Sequence, residues 1–540
     1  MTNTKKDVEA FSSQLSERIW GHRFKDGQKG EEYLLEFLNV MWGTKYKLDA
    51  SYYERKQMIG FRQFVFEGMK EGSKSEAPVK LDPEKKERLL ATIKDDERIS
   101  IIRNFLVNLE VPLYDKKGKE ANRSWYARSL YPLHESLLFF ELRTKGKNIS
   151  FERNFYARGG ELYYLMLTYG TRRDKALRKQ IETRLQELLQ RNKKIEYLVN
   201  ELENIIENRE AGKAEGSPQY LKKNEKEHEY PHLPVEDCEL FLKFSEQFVQ
   251  VISLRLDIYE LFRLLTSLIC YHLTLYMNQR ASEGCGGNVC TVEEQIHCKI
   301  CQTTYFFDCL DAQVPQVRKL ASDTFTKNET LIKRKFESYF KRQFFEIIGE
   351  EEDFATRLDE WKQNPDNFLE DFGLKNLREP RKETIKKALK KCISYQDATT
   401  HLYNKIKDII SDQLKRQQLN ITRGLAVDGG FGGYRPGESY RYFITDAFLQ
   451  AIVYATVKPD KSIEFHEFLQ LLYKEFGIVV AEKEARQSGL YELSKLNIKY
   501  FQMNERQLRE KLKHNGLLIE YSDATAMIHN PYEATWEVMA

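Results

Sequence analysis

Residues 175 to 209 read KALRKQIETRLQELLQRNKKIEYLVNELENIIENR. Leu185, Leu188, Leu189, Ile195, Leu198, Leu202 and Ile205 recur mostly at steps of three and four with charge between them. That spacing gathers the apolar side chains on one stripe of a helix with 3.6 residues per turn. The stretch therefore predicts a long amphipathic helix or a hairpin of two, and either form needs a partner to cover its stripe. It sets the fold class as mostly α, a multidomain helical protein.

The same period appears on either side. EEYLLEFLNVM, residues 31 to 41, places Leu34, Leu35, Leu38, Val40 and Met41 at helical spacing. From Lys86 to about Gly170 the pattern stays mostly helical, as in ESLLFFELRTKG and GELYYLMLTYG. Val235 to Met277 is a long apolar-periodic region, and charged helical sequence runs from Pro315 to Gln418, where GEEEDFATRLDEW reads as a helix start with a solvated face. Two stretches break the period. In EGSKSEAPVKLDPEKKE, Gly72, Pro78 and Pro83 interrupt any regular element, and EAGKAEGSPQYLKKNEKEHEYPHLP has the composition of a linker. The expected organisation is an N-terminal helical segment (1–70), a helical domain (85–210), a linker (211–234), a helical domain (235–420), a Gly-rich loop (421–441) and a winged-helix-like domain (442–540).

With 540 residues, the chain can form roughly three or four domains. Hydrophobic residues make up 41% and charged residues 31%, enough apolar material for cores under a charged surface. The formal net charge is only +3, from 85 basic and 82 acidic residues, so nucleic-acid binding would need a local patch. The opening MTNTKKDVEAFSSQLSERIW lacks the apolar region of a signal peptide, and the apolar LLTSLICYHLTLYM (264–277) falls short of the roughly 20 residues that cross a bilayer. The expectation is a cytoplasmic protein without a membrane span, with residues 264–277 as a buried core helix.

CGGNVCTVEEQIHCKIC, residues 285 to 301, concentrates four thiols in an otherwise cysteine-sparing chain. Cys285 and Cys290 form C-x4-C; Cys298 and Cys301 form C-x2-C. Two short thiol pairs joined by a turn suit tetrahedral Zn²⁺ with sulfurs at about 2.3 Å, and four protein ligands close the site to water, which makes it structural. The segment 284–309 is expected to be a small zinc-binding insertion, with His297 and Cys309 as competing ligands. Reduced, inert thiols in a loop are the alternative. Cys238, Cys270 and Cys392 stand alone.

DGGFGGYRPGESYRY, residues 428 to 442, carries five glycines with Tyr434, Arg435, Tyr440 and Arg441. It lacks the lysine and hydroxyl ending of a P-loop and the spacing of a dinucleotide fingerprint. It reads either as a flexible connection or as a loop whose Arg435 and Arg441 touch a nucleic-acid backbone. Three helical patterns follow, ITDAFLQAIVYATV, EFHEFLQLLYKEFGIVV and NERQLREKLKHNGLL, and then two short strands around Ser522 and Asp523. This is the order of a winged helix. Its third helix would offer Arg506, Arg509, Lys511 and Lys513 to a major groove of double-stranded DNA. Glu505, Glu510 and Glu520 dilute that charge, so protein docking stands beside DNA contact.

No Walker lysine motif, H-E-x-x-H, G-x-S-x-G or nuclease constellation is visible. GHRFKDGQKGEEYLLEFLNVMWG (21–43), ARGGELYYLML (157–167), LLYKEFGIVV (471–480) and LREKLKHNGLLIEYSDATAMIHNPY (508–532) resemble accessory proteins of bacterial anti-phage islands. The similarity is to a component of methylation-associated defence systems and, more distantly, to the G subunit of phosphorothioation-dependent restriction systems. The resemblance implies a non-catalytic adaptor or DNA-sensing subunit beside an ATPase or helicase-like partner and a DNA-modifying enzyme, and it carries over no catalytic residue. The rival expectations are a divergent metal-dependent nuclease, in which Glu161 or Asp446 would meet a lysine around Mg²⁺, and a winged-helix transcriptional regulator.

Overall fold

The computed structural model describes residues 16–21, 24, 27–72, 75–114, 118–140, 143–145, 148–150, 159–207, 219–220, 233–236, 238–282, 303–374, 377–434, 438–521 and 525–534. The architecture is mostly helical, and its strands are short. The helices used below are α1 (Gly30–Gly43), α2 (Gly159–Gly170), α3 (Lys175–Gln190), α4 (Lys193–Glu207), α5 (Glu239–Ile252), α6 (Ile258–Ser282), α7 (Pro315–Ile348), α8 (Glu379–Lys391), α9 (Tyr403–Asp428), α10 (Asp446–Thr456), α11 (Phe465–Phe476) and α12 (Ile498–His514).

Residues 175–207 form two helices, α3 followed by α4. Asp174 caps α3 by accepting from the Leu177 N–H at 2.9 Å, and the helix ends at Gln190. The two stripes face different cores. Leu177, Ile181, Leu185, Leu188 and Leu189 join the main core. Ile195, Val199, Leu202 and Ile206 pack instead with Phe61, Phe64, Leu106, Trp125 and Leu137 in a second cluster. The two helices, joined by the short turn at 191–192, thus link two apolar cores.

The main core is organised around α6, which is buried on nearly every side. A helix that is apolar all round needs neighbours all round, and α1, α2, α5, α7, α9 and α10 supply them. Several of its polar groups find partners inside: Tyr271 donates to the Phe476 carbonyl at 2.9 Å, Tyr276 to the Trp20 carbonyl at 2.7 Å and Asn278 to the Tyr305 hydroxyl at 2.8 Å. His272 is fully buried, and burial pushes its pKa well below the usual value. Its neutral ring donates from Nε2 to Gln247 at 2.8 Å and accepts at Nδ1 from the Tyr163 hydroxyl at 3.0 Å. Residues 264–277 are therefore the buried core helix expected, and among the described residues no helix is long and apolar enough to cross a membrane.

Residues from the blocks 1–70, 85–210, 235–420 and 442–540 all contribute to this one cluster, which runs from Ile19 to Ile528. The Gly-rich stretch is packed within it. Helix α9 continues to Asp428, after which β1 (Gly432–Gly433) pairs antiparallel with β2 (Arg441–Tyr442). Gly429 lies so close to α6 that a Cβ there would stand 2.7 Å from the Cys270 Cβ. Residues 429–433 are thus a close contact between elements, where the composition had suggested a flexible connection.

The C-terminal part runs α10, β3 (Ser462–Glu464), α11, two short helices (Glu482–Gln487 and Leu490–Ser494), α12, β4 (Leu518–Glu520) and β5 (Ala526–His529). Its sheet has the order β4–β5–β3, all antiparallel, with Ile528 opposite both Leu518 and Ile463. Beside it, the buried strand Tyr305–Phe306 pairs in parallel with Ile478–Val479.

Candidate nucleic-acid interface

Helix α12 starts where the Asn497 side chain accepts from the Lys499 N–H at 3.0 Å. Phe501, Asn504, Leu508 and Leu512 mark its inward face. Asn504 is fully buried: its amide donates to the carbonyls of Phe307 at 2.8 Å and Val480 at 3.0 Å and accepts from the Cys309 N–H at 2.8 Å. One side chain thus fixes the helix to the strand at Tyr305 and to the chain after β-residue Val479.

The four cations proposed on α12 divide between two directions. Lys511 turns toward the body and pairs with Asp311 at 2.9 Å. The Arg509 guanidinium lies over the Phe465 ring, 4.9 Å from its centroid. Lys513 is exposed and pairs with Glu520 of β4 at 2.9 Å, a hydrogen bond that raises the lysine pKa and lowers the carboxyl. Arg506 is exposed. The same outer face carries Lys499, Gln502 and His514, also exposed. Lys499 and His514 were missed in the sequence, although the inward period Phe501, Asn504, Leu508, Leu512 fixes which positions face out.

Arg441 is buried in β2. Its Nε lies 3.2 Å from the Asp308 carboxylate, another nitrogen 3.5 Å from Glu438, and the group sits over Phe443 at 5.4 Å. Asp308 also accepts from the N–H groups of Leu310 at 3.0 Å and Ala312 at 2.9 Å, while burial raises its pKa despite the arginine. Arg441 is therefore committed to holding this turn. Arg435 lies outside the described residues.

Cys285, Cys290, Cys298, Cys301 and His297 also lie outside the described residues. In sequence they fall between α6 and the buried strand Tyr305–Phe306. Cys309 is fully buried in the main core, and burial raises its pKa. Among the described residues, no group of three or more His, Cys, Asp or Glu side chains could hold a metal. Glu161 is buried in the first turn of α2, where Tyr53 donates to it. Asp446, at the start of α10, accepts from the Asn515 amide at 2.9 Å. The structure does not bring these two into a metal-holding group.

A second polar constellation joins the start of α1 to the end of α9. Asp428 accepts from the Gly30 N–H at 3.0 Å and lies 3.6 Å from the Lys29 ammonium, so it caps α1 from a distant helix. Glu32 accepts from the Lys29 N–H at 2.6 Å and pairs with Arg123 at 2.7 Å. Burial pushes Glu31 up to about 7 and Asp428 up to about 6. A Cβ at Gly30 would stand 2.9 Å from Thr266 and 3.0 Å from Cys270, so only glycine lets α1 begin this close to α6. Compared with protein families, curated proteins and solved structures, the chain matches none.

Proposed function

We propose that the chain is a non-catalytic subunit of an anti-phage defence or restriction complex that contacts double-stranded DNA through residues 446–529, beside an ATPase or helicase-like partner and a DNA-modifying enzyme. The observation that supports the DNA contact is the order of the long elements, α10, β3, α11, α12, β4 and β5, with the strand Ile478–Val479 and two short helices between α11 and α12 and with β3 antiparallel to β5. Leaving aside that insertion, the long elements follow the order of a winged helix, in which the third long helix enters the major groove and the strand pair follows the backbone. Helix α12 occupies the third position and turns Lys499, Arg506, Lys513 and His514 outward. The defence setting rests on the resemblance of residues 21–43, 157–167, 471–480 and 508–532. In this reading Cys285, Cys290, Cys298 and Cys301 hold one structural zinc ion, and elemental analysis of the purified chain and of Cys298→Ser tests that part.

The DNA contact is tested by titrating the full chain into a fluorescent duplex of about 20 base pairs at several salt concentrations. The double variant R506Q/K513Q is expected to weaken binding and to lower the slope of log K against log salt by about 2, close to one unit per phosphate contact. Unchanged affinity and slope would contradict it. Tight binding confined to one operator sequence would favour the transcriptional regulator instead.

A further inference from the structure

Residues 377–391 carry seven basic side chains against two acidic ones, a local charge of +5 in a chain whose total is +3. The charge is concentrated on α8. Lys382 and Lys386 are tied to Glu379 at 2.8 Å and Asp366 at 2.9 Å. Lys387 and Lys391 are exposed and make no ion pair among the described residues. They stand four residues apart, so they repeat along the helix at about 6 Å.

Opposite them, the chain passes through a π-helical turn, Ala398–Leu402, into α9. Such turns are rare and are frequent at functional sites. His401 and Lys405 project from this bank, again four residues apart, and both are exposed. Between the banks lies a groove of about 400 Å³ whose lining includes Ala388, Leu402 and Cys392. One carboxylate shares the lining: Asp397, which accepts from the Ile393 N–H at 3.2 Å and lies 3.4 Å from the His401 ring. Three lysines therefore remain for a ligand. Ile393, beside Cys392, is 81% exposed and offers an apolar contact.

We propose that this groove binds a single nucleic-acid strand, with Lys387, Lys391 and Lys405 on successive phosphates and the apolar floor beneath sugars and bases. Lysine binds phosphate as a compact point charge, whereas paired recognition of carboxylates favours the arginine fork, and the lining contains no arginine. A groove of this volume, bounded by two adjacent helical segments, admits a nucleotide or two of extended strand and is too small for a duplex. The proposal shares its ligand class with the DNA reading above but none of its residues.

The test uses the full chain and a fluorescent oligothymidylate of about 12 nucleotides, with the duplex titrated in parallel. K387Q/K391Q/K405Q is expected to lose about tenfold in affinity for the single strand and to lower its salt slope by about 2, near 0.7 per lysine contact. The matching arginine variant should retain binding, and duplex affinity should stay unchanged in both. Conversely, R506Q/K513Q should leave single-strand binding intact, so failure of one interface is distinguishable from failure of the other. The proposal is overturned if the parent does not bind the single strand, if the glutamine variant binds it with the parent's affinity and slope, or if a glutamate peptide of equal charge competes as well as the oligonucleotide. These side chains are exposed, and unchanged circular dichroism would show that each variant folds.

Discussion

At Glu31 and Asp428, the cost of burying carboxylates has a measurable sign. Burial raises Glu31 from 4.5 to about 7, opposed by a backbone hydrogen bond and, less, by Lys29, with Asp428 and Glu32 adding to the rise. A raised folded pKa means that the folded chain retains a proton which the unfolded chain releases. The stabilisation is complete below about pH 4.5 and is lost as pH rises through about 7. Glu31→Gln keeps the shape and removes the titration. In denaturant unfolding it should match the parent near pH 4.5 and exceed it by about 1–2 kcal/mol at pH 8, a figure that allows for the partial exposure of the side chain. A constant difference across that range would rule out the buried carboxyl as its cause. None of this was legible in GQKGEEY, because the residue that caps Gly30 is Asp428, 398 positions along the chain.

Helical periodicity was legible and tertiary commitment was not. The 175–209 stretch announced its helices through Leu185, Leu188 and Leu202, but it could not say that α3 and α4 serve separate cores. Arg441 and Lys511 looked alike in sequence to Arg506 and Lys513, yet Asp308 and Asp311, more than a hundred residues away, draw the first two inward. Asn504 carries the same lesson: a polar residue within a charged helix proves to be its anchor. Asn504→Ala would leave the Phe307 and Val480 carbonyls and the Cys309 N–H without this partner, at an expected cost of about 2–4 kcal/mol. Urea unfolding measures it, and a cost below about 0.5 kcal/mol would mean that α12 is held by its apolar face alone.

For the molecule as a whole, periodicity correctly indicated helices and composition indicated ample core material. Neither could reveal that blocks separated by breaks in periodicity share one core around α6. The breaks mark where helices end, whereas the core is set by which stripes meet. This continuity gives the C-terminal module a rigid seat, since α10 packs on α6 and Asn504 joins α12 to the strand at Tyr305. The outward face of α12 can then meet a partner while its inward face stays fixed. Amide hydrogen exchange of the full chain, with and without a duplex, tests that claim most directly. The account predicts slower exchange on DNA binding within 498–514 and 518–529 and no change in α6. Slowing confined to other parts of the chain, with these two stretches unaffected, would contradict it.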